Sequence, residues 1–152
     1  MVLALGFLVA ACDDSADDAH PVVEIKGGGF VFNYREAEAF YGLTIRPLQR
    51  LAPGTVIEVA FQDPAGGPEI LVREEIRQPS LSYMFRTPGL TGVEAGVDYR
   101  ASVTVRGPGD GAVLGRLEKT FRSSVDQSVL PAAPLTIGPG YMPNPALQDP
   151  TP

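Results

Sequence analysis

The sequence predicts an all-β fold, a sandwich of about seven to eight strands. Three observations carry that expectation. Apolar and polar residues alternate at period two over most of the chain, the pattern of half-buried strands. Turn formers recur about every 8–12 positions, and 17 Gly with 15 Pro make up more than a fifth of the 152 residues. Helical periodicity is weak: Tyr34–Tyr41 (YREAEAFY) alone reads as a short turn of helix.

Length and composition fit one domain with a core of its own. A net charge of −6 without a long basic run argues against nucleic acid as a partner. It also argues against direct attraction to an anionic membrane surface, which needs clustered Lys and Arg. With one cysteine, Cys12, no intrachain disulfide forms, so the core must carry stability alone.

The N-terminal stretch says most about location. Val2–Ala11 is uncharged and apolar, too short for a spanning helix, which needs about 20 residues. It fits the apolar region of a signal peptide. Leu8-Val9-Ala10-Ala11-Cys12 resembles a bacterial lipobox, which implies that Cys12 is diacylated and becomes the mature N-terminus. No positive charge precedes Val2, so the expected start of translation lies upstream of Met1. The thiol accepts the diacylglyceryl group, and each acyl CH₂ buried in lipid contributes about 0.8 kcal/mol. Residues 1–12 are therefore expected to be a lipoprotein signal peptide, with the product in the cell envelope, anchored to the membrane by its N-terminal lipid and facing the periplasm. In bacterial lipoproteins an Asp directly after the acylated cysteine, as Asp13 stands here, can retain the protein at the inner membrane. That rule varies among lineages, so inner and outer membrane both stay open.

Residues 13–20 gather Asp13, Asp14, Asp17, Asp18 and the lone His20. Carboxylates beside a histidine invite a metal, but no second His or Cys lies nearby in sequence. The segment reads as an acidic, solvated tether that holds the domain off the membrane.

The β domain is expected over residues 21–124. A first strand runs Pro21–Lys26 and is broken by a turn at Gly27-Gly28-Gly29. Phe30–Tyr34 follows, with Phe30, Phe32 and Tyr34 alternating, then Ala39–Pro47. Pro53-Gly54 turns the chain into the clearest strand, Thr55–Gln62, with Ile57, Val59 and Phe61 on one face. After the loop Asp63–Pro68, Glu69–Ile76 pairs back as a hairpin. Leu81–Arg86 aligns Leu81, Tyr83 and Phe85. Tyr99–Arg106 turns Tyr99, Ala101, Val103 and Val105 inward. Gly107–Gly111 leads into the closing strand Val113–Arg122.

Val93-Glu94-Ala95-Gly96-Val97-Asp98-Tyr99, leading into Ala101–Val105, is similar to the tyrosine-corner segment of fibronectin type III and immunoglobulin-like domains. That implies a structural role for Tyr99, whose hydroxyl would cap backbone a few residues upstream, and an immunoglobulin-like or transthyretin-like sandwich. A second likeness spans about 95 residues. Leu51-Ala52-Pro53-Gly54-Thr55-Val56-Ile57-Glu58-Val59-Ala60-Phe61-Gln62-Asp63, a hairpin, Pro79, the Tyr83–Phe85 strand and the Tyr99 strand follow one another. This looks like the small-lipoprotein family that includes YbaY and the YscW-type pilotins. The resemblance implies a β-sandwich lipoprotein, and its best-known members escort secretin subunits to the outer membrane. Gly54, Ile57, Val59, Asp63, Pro79 and Tyr99 carry it. The stretch Phe30–Arg50 is longer than that pattern, and the proline-rich end lies outside it.

Residues 125–152 form a proline-rich C-terminal tail, with seven of the 15 prolines after Leu130. The expected arrangement is an extended segment lying on the domain, with Leu135, Ile137 and Tyr141 filling a groove. The competing reading is a polyproline-type ligand for a partner. Gln148–Pro152 is expected to fray.

Catalytic chemistry is not visible. The lone histidine sits in the tether, and acylation would consume the lone thiol. No CxxC, HExxH or GxGxxG occurs, and Gly27-Gly28-Gly29 lacks the Lys-Ser/Thr of a phosphate loop. Glu74 and Glu75, adjacent on a strand, face opposite ways and cannot flank one substrate. No catalytic residue, cofactor or metal is expected. The lead expectation is a lipid-anchored binding module, a pilotin-like chaperone for an envelope protein as client. The alternative is a structural envelope lipoprotein without a dedicated client, and an enzyme comes third.

Overall fold

The computed structural model describes residues 21–147. Cys12, the tether with His20, and residues 148–152 lie outside the described residues. Seven strands build an antiparallel, immunoglobulin-like sandwich. They are β1 (Val23–Asn33), β2 (Glu38–Pro47), β3 (Val56–Phe61), β4 (Ile70–Glu75), β5 (Tyr83–Arg86), β6 (Asp98–Arg106) and β7 (Val113–Arg122). One sheet has the order β1-β2-β5, the other β4-β3-β6-β7. Two dipeptide strands, β8 (Thr136–Ile137) and β9 (Met142–Pro143), make a small hairpin in the tail.

Alternation decides which face of each strand enters the core. Tyr41, Leu43 and Ile45 of β2 face Ile57, Val59 and Phe61 of β3 and Tyr99, Ala101, Val103 and Val105 of β6, all buried. Tyr41 is the hub. Its ring stacks on Phe30 at 4.6 Å and meets Phe61 and Phe121 edge-on at 4.8 and 5.4 Å. Its hydroxyl donates to the Tyr99 carbonyl at 3.2 Å, across to the other sheet. Burial pushes that hydroxyl's pKa far up, so Tyr41 stays a neutral donor.

Four expectations need correction. The glycine run is not a turn: β1 passes straight through it, pairing Gly27 with Thr44, Gly28 with Leu43 and Gly29 with Gly42. A register shift between Ile25 and Gly27 absorbs an extra residue, as a β-bulge does. Gly28 is there for space. A Cβ on it would lie 2.5 Å from the Gly42 carbonyl oxygen and 2.8 Å from the Leu43 Cβ. The Tyr34–Tyr41 stretch is not helical. Residues 34–37 turn the β1–β2 hairpin, and the Asn33 side-chain oxygen accepts the Arg35 N–H at 3.2 Å. Strand β2 then begins at Glu38, because Ala39 and Tyr41 have a core to enter. Leu81 does not share the inward face of Tyr83 and Phe85; it precedes β5 and is 91% exposed. Finally, Leu135, Ile137 and Tyr141 fill no groove, since all three are exposed. The tail instead folds on itself as β8–β9, fastened by the Thr136 N–H to the Arg35 carbonyl at 3.3 Å and by the Arg35 guanidinium over the Tyr141 ring at 3.4 Å.

Candidate binding surface at the open side of the sandwich

The loops fix which sides of the sandwich are closed. Tyr99, second residue of β6, sends its hydroxyl back into the β5–β6 loop. There it accepts the Glu94 N–H at 3.0 Å and donates to the Gly92 carbonyl at 3.4 Å. The chain after β7 returns to the same loop. Asp126 accepts the Ala95 N–H at 2.7 Å, and Gln127 accepts the Val93 N–H at 3.2 Å while its amide donates to the Leu90 carbonyl. Gly96, at φ +75°, gives its N–H to the Ser123 carbonyl at 2.9 Å. Gly54, at φ +84°, does the same for the Ile76 carbonyl at 2.8 Å, joining the start of β3 to the end of β4. Both glycines hold left-handed backbone that a side chain would strain.

The two lateral edges of the sandwich differ. On one, β1 packs beside β7, and Val22 lies against Gly115. On the other, β4 and β5 barely touch. A hollow of about 470 Å³ opens there, lined by Arg73, Glu74, Glu75, Ile76, Arg77, Gln78 and Tyr83. Around the corner a groove of about 640 Å³ runs between the end of β2 and the approach to β5, lined by Arg46, Leu48, Arg50, Pro79 and Leu81. A shallower depression of about 280 Å³ on the outer face of the three-stranded sheet has Gly29 and Gly42 as its floor and Val31, Phe40, Met84 and Arg86 around it. Leu81 and Met84, at 91 and 75%, are the most exposed large apolar side chains among the described residues, and Leu48 lies on the same side.

The electrostatics separate the two sheets. The outer face of the four-stranded sheet matches its charges. Arg122 grips Asp98 through two bonds of 2.7 Å, and Arg100 reaches Glu69 at 3.2 Å and Glu118 at 3.8 Å. The groove and the outer depression carry Arg46, Arg50 and Arg86 with no carboxylate in their walls. Arg46 is spoken for by Glu24. Arg86 lies over the Phe40 ring at 4.7 Å and, among the described residues, joins no ion pair.

The surface pairs give a pH dependence with a definite sign. The hydrogen bond from Arg122 holds the Asp98 carboxyl below its ordinary value of 3.8, and that from Arg46 holds Glu24 below 4.5. A depressed folded-state value contributes stability above the unfolded value and loses it as pH falls through the folded one. The melting temperature is therefore expected to decline as the medium is acidified through and below 4.5 and 3.8, by a small amount because both pairs are exposed. Arg122→Gln should flatten part of that decline in a thermal melt series over pH.

Among the described residues, Glu74 and Glu75 line one hollow together, with no histidine, cysteine or serine beside them in its walls. Glu74 and Glu75 sit in register with Ile57, which faces in, and Val56, which faces out. No three His, Cys, Asp or Glu side chains come together among the described residues, and no described helix is long and apolar enough to cross a membrane. Cys12 lies outside the described residues. No protein-family model matches the chain, and no curated protein matches it.

Proposed function

We infer that this protein is a lipid-anchored binding module of the cell envelope. Cys12 carries the lipid, residues 13–20 space the domain from the bilayer, and the β5 side of the sandwich holds an envelope protein as client, in the manner of a pilotin-like chaperone. The observation behind this reading is the pair Leu48 and Leu81 in one groove, with Met84 exposed in the neighbouring depression on the outer face of the same sheet. Exposed apolar side chains scattered singly are ordinary, whereas a contiguous set rimmed by polar residues marks an interaction site. Their position beside a groove and an open sheet edge suits a protein segment better than a small polar substrate.

Affinity isolation of a C-terminally tagged chain from native membranes, beside its Leu81→Asp form, tests this. One envelope protein recovered in stoichiometric amount with the parent, and depleted with Leu81→Asp at equal abundance, supports a dedicated client. Recovery of both forms alone sinks the chaperone reading and leaves a structural envelope lipoprotein.

A further inference from the structure

The ladder between β2 and β5 determines what the β5 edge offers. Thr87 N–H donates to the Tyr41 carbonyl at 2.8 Å, and the register pairs Leu43 with Phe85 and Ile45 with Tyr83. In an antiparallel ladder, bonded and non-bonded pairs alternate. The N–H and C=O groups of Tyr83, Phe85 and Thr87 thus point into the sheet, and those of Met84 and Arg86 point away from it. Strand β5 is the last of its sheet among the described residues, and that row faces no described strand. Exposed edges are usually blunted by charge, and the neighbouring edge β4 follows that rule with Arg73, Glu74 and Glu75 in a row. Strand β5 and its approach instead present Leu81 and Met84, followed by a single charge, Arg86.

We propose that β5 accepts an extended segment of the client as a fourth strand, with an apolar residue opposite Met84 and a carboxylate opposite Arg86 on the same outer face. This rests on the binding-module reading and names the chemistry of what the module holds. Backbone bonds to Met84 and Arg86 supply affinity, and alternate side chains supply selectivity. Side chains directly across an antiparallel pair lie close enough to interact. Met84 is opposite Thr44 on its inner flank and open on its outer one. Arg86 is opposite Gly42, and its guanidinium crosses the space above that glycine to lie over the Phe40 ring of β2, from which it can swing to the outer edge. The choice of an acidic rather than a basic segment follows from Arg86, which joins no ion pair among the described residues, and from Arg50 in the groove wall; Arg46 is held by Glu24, and the hollow beside β5 sets Arg73 and Arg77 against Glu74 and Glu75.

The test is amide hydrogen exchange on the full chain with a capped peptide of about seven residues, threonine alternating with leucine, valine and glutamate. The expected result is slowing of the Met84 and Arg86 amides by about tenfold or more at saturation. A lysine-for-glutamate peptide should bind about three- to fivefold more weakly. Met84→Pro should abolish the slowing, since proline fits an edge position whose N–H faces out while removing the donor. If that variant unfolds, Met84→Lys, which leaves every backbone bond in place and removes the apolar contact, should weaken peptide binding about three- to fivefold, and unchanged binding overturns the proposal.

Slowing confined to Ile70–Glu75, equal binding of both peptides, or no slowing overturns the proposal. So does concentration-dependent slowing without peptide, which would make a second copy of the chain the occupant. A client retained equally by the parent and Met84→Pro removes strand addition and leaves the binding module. Peptide addition at β5 with no client in the membrane isolation does the reverse.

Discussion

Truncating Tyr41 to alanine is expected to cost about 4 kcal/mol, the upper range for removing a buried aromatic ring. Single domains are stable by about 5–15 kcal/mol in all, so the loss is a large fraction of the total. The magnitude follows from position. The ring is fully buried, touches Phe30, Phe61 and Phe121, and lies where the two sheets face each other. The neighbours come from three different strands, so no single one can collapse into the void. Tyr41→Phe keeps the ring and removes only the donor to the Tyr99 carbonyl, at a cost of about 1 kcal/mol. Urea denaturation of the three proteins checks both figures. Equal losses for the two variants would mean that the hydroxyl, and not the packed ring, joins the sheets.

Gly28→Ala is expected to destabilise by about 1–3 kcal/mol, although alanine suits a strand better than glycine elsewhere. The added methyl would press on the Gly42 carbonyl and the Leu43 Cβ at separations that real side chains do not show. Either β1 lifts from β2 or Leu43 leaves its place in the core. Gly27→Ala is the control: it has the same sequence neighbourhood and nothing within 4 Å of the added carbon. Calorimetric melts should separate the two by several degrees. A Gly28→Ala melt matching that of Gly27→Ala would mean that the glycine run is a hinge after all.

These residues also show how far the sequence can be read. Strands β2, β3 and β6 were legible because each buries one face against the opposite sheet, so Tyr41-Leu43-Ile45 or Ile57-Val59-Phe61 alternates without interruption; β7, which buries only Phe121, was legible from the glycine-rich turn before it. The Asp98-Tyr99 step was legible as a motif, since a tyrosine opening a strand after a glycine-bearing loop is a local pattern with a local hydrogen-bonding consequence. The glycines of β1 misled because their role is steric and depends on Leu43, fifteen residues away, whereas a turn would have been local. Leu81 misled because alternation continues past the point where pairing begins, and only the register with Ile45 shows that β5 opens at Tyr83. The candidate surface was largely illegible for the same reason. That β5 ends a sheet, and that β4 does not close over it, are facts of topology with no signature in the order of residues. Cys12 lies outside the described residues, and its lipidation stays an expectation from five consecutive residues.

The account depends most on that cysteine, and the most direct measurement is on it. Membrane fractionation of the parent and Cys12→Ser chains, with mass spectrometry of the mature N-terminal peptide, is the decisive experiment. The account predicts that the parent begins at Cys12, carries diacylglycerol and sediments with membranes, and that Cys12→Ser moves to the soluble fraction. An unmodified Cys12, or a Cys12→Ser chain that fractionates with membranes as before, would contradict it.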